Sequence, residues 1–175
     1  CRGDIQDFDV ERFDALGRIL GCAPIAADDP AAQQQGVEAL RHAYAFAATR
    51  YLLERASEYV QSRDKKLMVA LLCPRVTRQL ISSGERYDQP IADFLEQRGM
   101  LYFDMNRVHV EDYKCFNLSV DEYMKRYFIG HYSPAGNHFF AHSIKDSIVN
   151  WLDPRPITYG DDDQQRIDFR GYLPE

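Results

Sequence analysis

Two short apolar runs constrain this chain more than anything else in it. The first is "KLMVALLCP" at residues 66–74 and the second is "MLYFDM" at residues 100–105. Neither alternates apolar with polar residues, as a strand with one wet face would. Each has the length of a strand and is short for a helix. A strand apolar on both faces belongs in a parallel sheet covered by helices. The flanking segments have the helical period that such covering needs. In "FDVERFDALGRIL" (8–20), Phe8, Phe13, Leu16, Ile19 and Leu20 recur at helical spacing. A loop with Gly21, Pro24 and Pro30 follows. Residues 36–63 predict a long amphipathic helix with Val37, Leu40, Tyr44, Ala47, Ala48, Tyr51, Leu52 and Tyr59 on a broad apolar stripe. Residues 86–99 predict another helix, with Gly99 as its stop. Residues 106–127 read as loop and short helix, and a last helix is predicted from Pro134 to about Leu152, before "DPRP".

Helix, strand, helix, strand, loop, helix is the order of an α/β protein with parallel strands and helical crossovers. Two parallel strands are a poor sheet by themselves, because each leaves an edge of unpaired backbone groups. Further strands are therefore expected before Cys1, and "RIDFRGYL" (166–173) is a candidate edge strand. A first residue that is Cys1 and not methionine predicts a processed or trimmed chain, or a piece of a longer one. The 175 residues suffice for one domain. A net charge of −6 argues against a nucleic-acid backbone as the main partner. The longest apolar run, Leu67 to Cys73, is far below the ~20 residues of a membrane span. Cys1, Cys22, Cys73 and Cys115 form no CxxC pair, so a zinc site of the usual spacing is not expected and the thiols read as mostly reduced.

The most patterned stretch is "GHYSPAGNHFFAHSIKDSIVNWL" (130–152). Ser133 suits an N-cap, Pro134 suits the first helical position, and Gly136 permits close backbone approach. Phe139, Phe140, Ile144, Ile148 and Trp151 then supply a buried face. His131 falls on the loop just ahead of that anchored helix. Loops at the carboxyl ends of parallel strands are where ligands bind, and imidazole has an ordinary pKa near 6.5 that suits proton transfer. The residues alone leave two readings open: His131 moves protons, or it caps and packs the turn.

Other groups carry chemistry less sharply. His138 and His142 are four apart on the predicted helix, with His131 as a third conceivable ligand, but no HExxH accompanies them and no metal is expected. Asp104, Asn106, Arg107, His109, Glu111 and Asp112 crowd the segment after the second run, as substrate-pocket lining or as a solvated loop. Arg75 and Arg78 follow the first run and could meet an anionic or sugar substrate, or lie plainly on the surface. The aromatic segment 112–128 reads as core and lid packing or as a sugar platform.

"GHYSPAGNHFFA" resembles the last block of the SGNH (GDSL) hydrolase family, where a histidine precedes a Pro-Ala-Gly turn and a C-terminal helix. The order of elements before it is similar as well. The resemblance implies that His131 is the general base for a serine nucleophile on the loop after the first strand. It implies a flavodoxin-like three-layer sandwich with a parallel sheet that lacks its first strands here. "CRGDIQDFD" more weakly resembles the family's Gly-x-Asn-Asp block. Asp4 then matches its aspartate, and Gly3 stands where the oxyanion-hole asparagine would be. The resemblance covers residues 1–152, with 153–175 as a C-terminal tail. The implied reaction is hydrolysis or transfer of an acyl group on an ester of a carbohydrate or small molecule, with no cofactor. Gly3, Asp4, Arg75 and Asn106 are the candidate substrate-binding residues.

The sequence departs from the pattern at three places. No Gly-Asp-Ser motif occurs, so the nucleophile is expected on an upstream segment or a second chain. Gly3 replaces the asparagine. Phe128 stands where the family has an aspartate three residues before the histidine. The tautomer of His131 is then expected to be set by a backbone carbonyl or another carboxylate, with Asp121 or Glu122 as candidates. Two functions follow: an SGNH-like esterase when complete, or a non-catalytic α/β module that keeps the scaffold for binding or assembly.

Overall fold

The computed structural model describes residues 10–25 and 29–152. Gly3, Asp4 and the segment 153–175, with its candidate edge strand, lie outside the described residues. The elements in chain order are α1 (Val10–Leu20), α2 (Pro30–Gln61), β1 (Met68–Leu71), α3 (Pro74–Ser83), α4 (Gln89–Gln97), β2 (Leu101–Asp104), α5 (Met105–Tyr113), α6 (Val120–Tyr127) and α7 (Pro134–Trp151). The described chain is mostly helical, with β1 and β2 paired in a two-stranded parallel sheet. It is α/β at that coarse level. It divides into two compact units, Cys1–Val69 with Arg86–Leu101 and Ala70–Glu85 with Tyr102–Glu175.

In the first unit α2 packs on α1 and α4. Asp29 caps α2 by accepting from the Ala31 amide at 2.9 Å, and Pro30 opens the helix at a position where its missing N–H costs nothing. The helix thus starts six residues before the position the sequence predicts, residue 36. Leu40 is its buried residue, whereas Tyr44, Tyr51, Leu52 and Tyr59 are 58–64% exposed. Half of the predicted stripe thus faces solvent, because period identifies residues that share a face and not what covers them. Arg86 and Asp88 form a forked pair, Nε–Oδ1 2.6 Å and Nη2–Oδ2 2.8 Å, with both side chains largely buried. The two parallel bonds satisfy charges that would be costly to bury singly.

The second unit holds the chemistry. α3 packs on α5 and α6, and α7 packs on α5 and α6. α3 corrects the sequence reading, which took Pro74 only as the end of a strand. Pro74 is instead the first residue of a helix whose Val76 and Thr77 are buried. Residues 106–127, read from sequence as loop and short helix, hold two helices, α5 and α6; the Asp104 carboxylate caps α5 by accepting from the Asn106 amide at 3.1 Å. α6 carries a complete capping box between Ser119 and Glu122. Met105, Tyr123, Met124, Tyr127 and Tyr132 form the core cluster.

α7 begins as its sequence predicts. Ser133 Oγ accepts from the Gly136 amide at 3.1 Å, and Pro134 occupies the first turn. Gly136 is buried, and a Cβ there would collide with the Tyr127 carbonyl oxygen and the Tyr132 ring. Gly136→Ala is accordingly expected to lower unfolding free energy by about 2 kcal/mol, the usual scale for overpacking. Urea unfolding checks this; a variant as stable as the parent would mean that the close approach does not hold in solution.

Candidate functional site

His131 stands on a tight turn between Tyr127 and α7. Phe128 and Tyr132 face each other in an antiparallel bridge, and their rings stack at 4.7 Å. The Ile129 amide donates to the His131 carbonyl at 2.7 Å, and the Ser133 amide donates to the Tyr127 carbonyl at 2.8 Å. Gly130 completes the turn at φ +96°, a backbone region that side chains rarely tolerate. The turn holds the His131 side chain outward, and the residue is exposed.

One hydrogen bond decides the chemistry of that ring. His131 Nδ1 lies 2.8 Å from the Tyr132 carbonyl oxygen. A carbonyl can only accept, so Nδ1 carries the proton. The neutral ring then has its basic lone pair on Nε2. The backbone thus performs the orienting task for which the sequence offered Asp121 or Glu122. Those carboxylates are engaged elsewhere. Asp121 pairs with Arg78, and that hydrogen bond and charge hold its carboxyl below the usual range. Glu122 accepts from Ser119 Oγ at 2.6 Å and from its amide at 2.9 Å, bonds that likewise lower its pKa.

A second histidine lies embedded beneath this turn; from sequence it stood among the candidates for a substrate-pocket lining or a solvated loop, and the structure places it in neither. His109 on α5 is fully buried among the rings of Tyr123, Tyr127, Phe128, Tyr132 and Phe139, with centroids 5.2–5.8 Å away. Its Nε2 lies 2.7 Å from the Tyr132 hydroxyl and its Nδ1 lies 2.9 Å from the Tyr123 hydroxyl. The Tyr123 and Tyr127 hydroxyls both lie within donating distance of Asp112 Oδ2, at 3.0 and 2.9 Å. The Tyr123 hydroxyl is also 3.0 Å from the His109 carbonyl oxygen, so its single proton has two acceptors, that carbonyl and Asp112. The groups are all paired when Tyr132 donates to Nε2, Nδ1–H donates to Tyr123, Tyr127 donates to Asp112, and Tyr123 donates to Asp112 or to the His109 carbonyl. Burial lowers the His109 pKa to about 4 against the opposing pull of Asp112, so the ring is neutral near pH 7. Burial raises the phenol pKa values of Tyr123 and Tyr132, and burial and Asp112 raise that of Tyr127. Tyr132 therefore links two histidines: its phenol is anchored on His109 while its carbonyl orients His131.

Asn106 is fully buried and holds a different junction. Its Oδ1 accepts from the Cys73 amide at 2.9 Å and from Thr77 Oγ1 at 3.0 Å, and its Nδ2 donates to Asp104 at 3.1 Å. Those bonds tie the start of α3 to the start of α5. The amide proposed for substrate contact from sequence is thus a structural clip, and its burial removes it from the surface. Arg75 is exposed in the first turn of α3. With Pro74, Arg78, Met124, Lys125 and Phe128 it lines a hollow of about 310 Å³. The candidate loop after β2 does not exist as such: Asn106 and His109 point into the core from α5, while Arg107 and Glu111 are exposed.

Ser133 is excluded as a nucleophile on this turn because its hydroxyl caps α7 and donates to the Arg126 carbonyl at 3.2 Å. His138 and His142 are exposed on α7, and among the described residues no cluster of three or more metal-ligating side chains occurs. Cys22, Cys73 and Cys115 are not in disulfides. No described helix is long and apolar enough to cross a membrane. No family model matches the chain, and no curated protein or solved structure matches it significantly.

Proposed function

We propose that this chain carries the general base of an SGNH-like serine esterase or O-acyl transfer enzyme. On this reading the two-stranded sheet is part of a flavodoxin-like three-layer sandwich, and the substrate is an ester of a carbohydrate or small molecule. The observation that carries the proposal is the exposed His131 ring with its Nδ1 proton fixed on the Tyr132 carbonyl. This is the tautomer a general base needs, with Nε2 free to take a proton.

The serine hydroxyl comes from a segment outside this sequence. As its oxygen attacks the ester carbonyl, Nε2 takes its proton, and backbone N–H groups stabilise the oxyanion. The resulting imidazolium returns the proton to the departing alcohol, which leaves an acyl-enzyme. Water then attacks the acyl group, with the same ring first accepting and then returning a proton. The carbonyl can hold the ring but lends it no full negative charge, so the imidazolium is stabilised less than beside a carboxylate.

A second reading rests on that same difference. Phe128 replaces the usual aspartate, and Asp121 and Glu122 are engaged by Arg78 and Ser119. A scaffold retained for binding or assembly accounts for this too. A serine-directed fluorophosphonate probe and a p-nitrophenyl acetate assay, both on the complete polypeptide, separate the two. Covalent labelling together with turnover supports the esterase; absence of both leaves the binding module.

A further inference from the structure

The hollow lined by Pro74, Arg75, Arg78, Met124, Lys125 and Phe128 combines two chemistries. Its walls of Pro74, Met124 and Phe128 are apolar, with Met124 buried and Phe128 half-buried. Its rim has three cations, Arg75, Arg78 and Lys125, all exposed. At about 310 Å³ it lies at the small end of the range for small-molecule pockets. It forms where α3 departs from the carboxyl end of β1, the edge at which open α/β sheets bind ligands. It also adjoins the His131 turn, because Phe128 both lines the hollow and starts the bridge to Tyr132.

We propose that this hollow binds an organic anion, a carboxylate or phosphate joined to an apolar body, as the substrate-recognition part of the esterase site. The inference rests on the reading of His131 for its place in catalysis, but the binding stands on the hollow's own chemistry. The apolar body lies against Met124 and Phe128, while the oxyanion meets the guanidinium of Arg75 and the ammonium of Lys125. Asp121 is one internal competitor: it pairs with Arg78, and its charge also acts on Lys125, as does that of Glu122. Glu122 is already committed to the Ser119 amide and hydroxyl. An incoming anion therefore competes with contacts the rim cations already make, the Arg78–Asp121 pair among them. That makes Asp121 a residue whose removal should strengthen binding, which a purely structural ion pair would not do.

Calorimetric titration of the complete polypeptide with phenyl phosphate tests this, with inorganic phosphate and benzyl alcohol as comparison ligands. Phenyl phosphate is expected to bind more tightly than either, because only it satisfies both walls and rim. Arg75→Ala and Lys125→Ala are each expected to weaken it about fivefold, the scale of one exposed charge contact. Asp121→Asn is expected to tighten it about threefold by releasing Arg78. Unchanged affinity in both cation variants, or weaker binding in Asp121→Asn with an intact melting curve, overturns the proposal. So does cosedimentation with phosphatidylglycerol vesicles without phenyl phosphate binding, which would make the patch a membrane contact. His131→Ala should bind phenyl phosphate as the parent does. Binding without ester turnover sinks the catalytic reading alone, whereas p-nitrophenyl acetate turnover without phenyl phosphate binding sinks this one alone.

Discussion

His131→Ala in the complete polypeptide is expected to lower kcat for p-nitrophenyl acetate by about 10²–10⁴-fold, the range of a positioned general base. KM should change little, because the imidazole acts on the proton of the attacking hydroxyl and not on the bound ester. The fold should survive the change. The side chain is exposed, and its hydrogen bond goes to the carbonyl of the adjacent residue. Its removal is therefore expected to alter stability by less than about 0.5 kcal/mol. His131→Gln adds a control, since it preserves bulk and a donor for the Tyr132 carbonyl but has no titratable base. It should be as slow as the alanine variant. Rates equal to the parent in a variant with an unchanged melting curve would remove His131 from the mechanism.

Acidification is expected to destabilise the second unit through His109, by up to about 3 kcal/mol between pH 6.5 and pH 4. The folded ring has a pKa of about 4, below the ordinary 6.5, because burial disfavours the imidazolium. Above pH 6.5 both folded and unfolded chains carry a neutral ring, and the full stability is present. As the pH falls below 6.5 the unfolded chain takes up a proton that the folded chain refuses. Unfolding therefore gains up to about 1.4 kcal/mol per pH unit until the folded ring also titrates. Asp121 and Glu122, whose folded carboxyls are shifted down, lose their contribution at lower pH than most of this window. Urea unfolding across pH 4.5–7.5 reads the slope, and a nuclear magnetic resonance titration of the His109 ring protons reads the group itself. A midpoint near 6.5 for those protons would refute the sealed, neutral ring.

The two effects meet in Tyr132, and they show why part of the site was legible and part was not. The His131 turn could be read from consecutive residues: a flexible Gly130, a capping Ser133, a Pro134 suited to a first helical turn, and a Gly136 that lets the backbone approach. All act within seven positions, so local chemistry specifies them. His109 lies 14 residues from Tyr123 and 23 from Tyr132, and its helical segment looks charged in sequence. Nothing in its immediate neighbours signals that both ring nitrogens are satisfied by distant phenols. Asn106 was misread for the same reason: its partners Cys73 and Thr77 lie 33 and 29 residues earlier, and its role exists only once α3 and α5 are packed.

By itself, the sequence determined the character of the elements: apolar runs that become β1 and β2, amphipathic stretches that become α2 and α7, and the cap that starts α7. These follow from side-chain period and from local competition for backbone hydrogen bonds. Tertiary structure alone decided which polar groups were taken out of water. It buried His109 and Asn106, left Tyr44, Tyr51 and Tyr59 exposed, and paired Asp121 with Arg78. The physical reason is that burial and ion pairing depend on which distant surfaces come together, and a one-dimensional pattern carries no record of that.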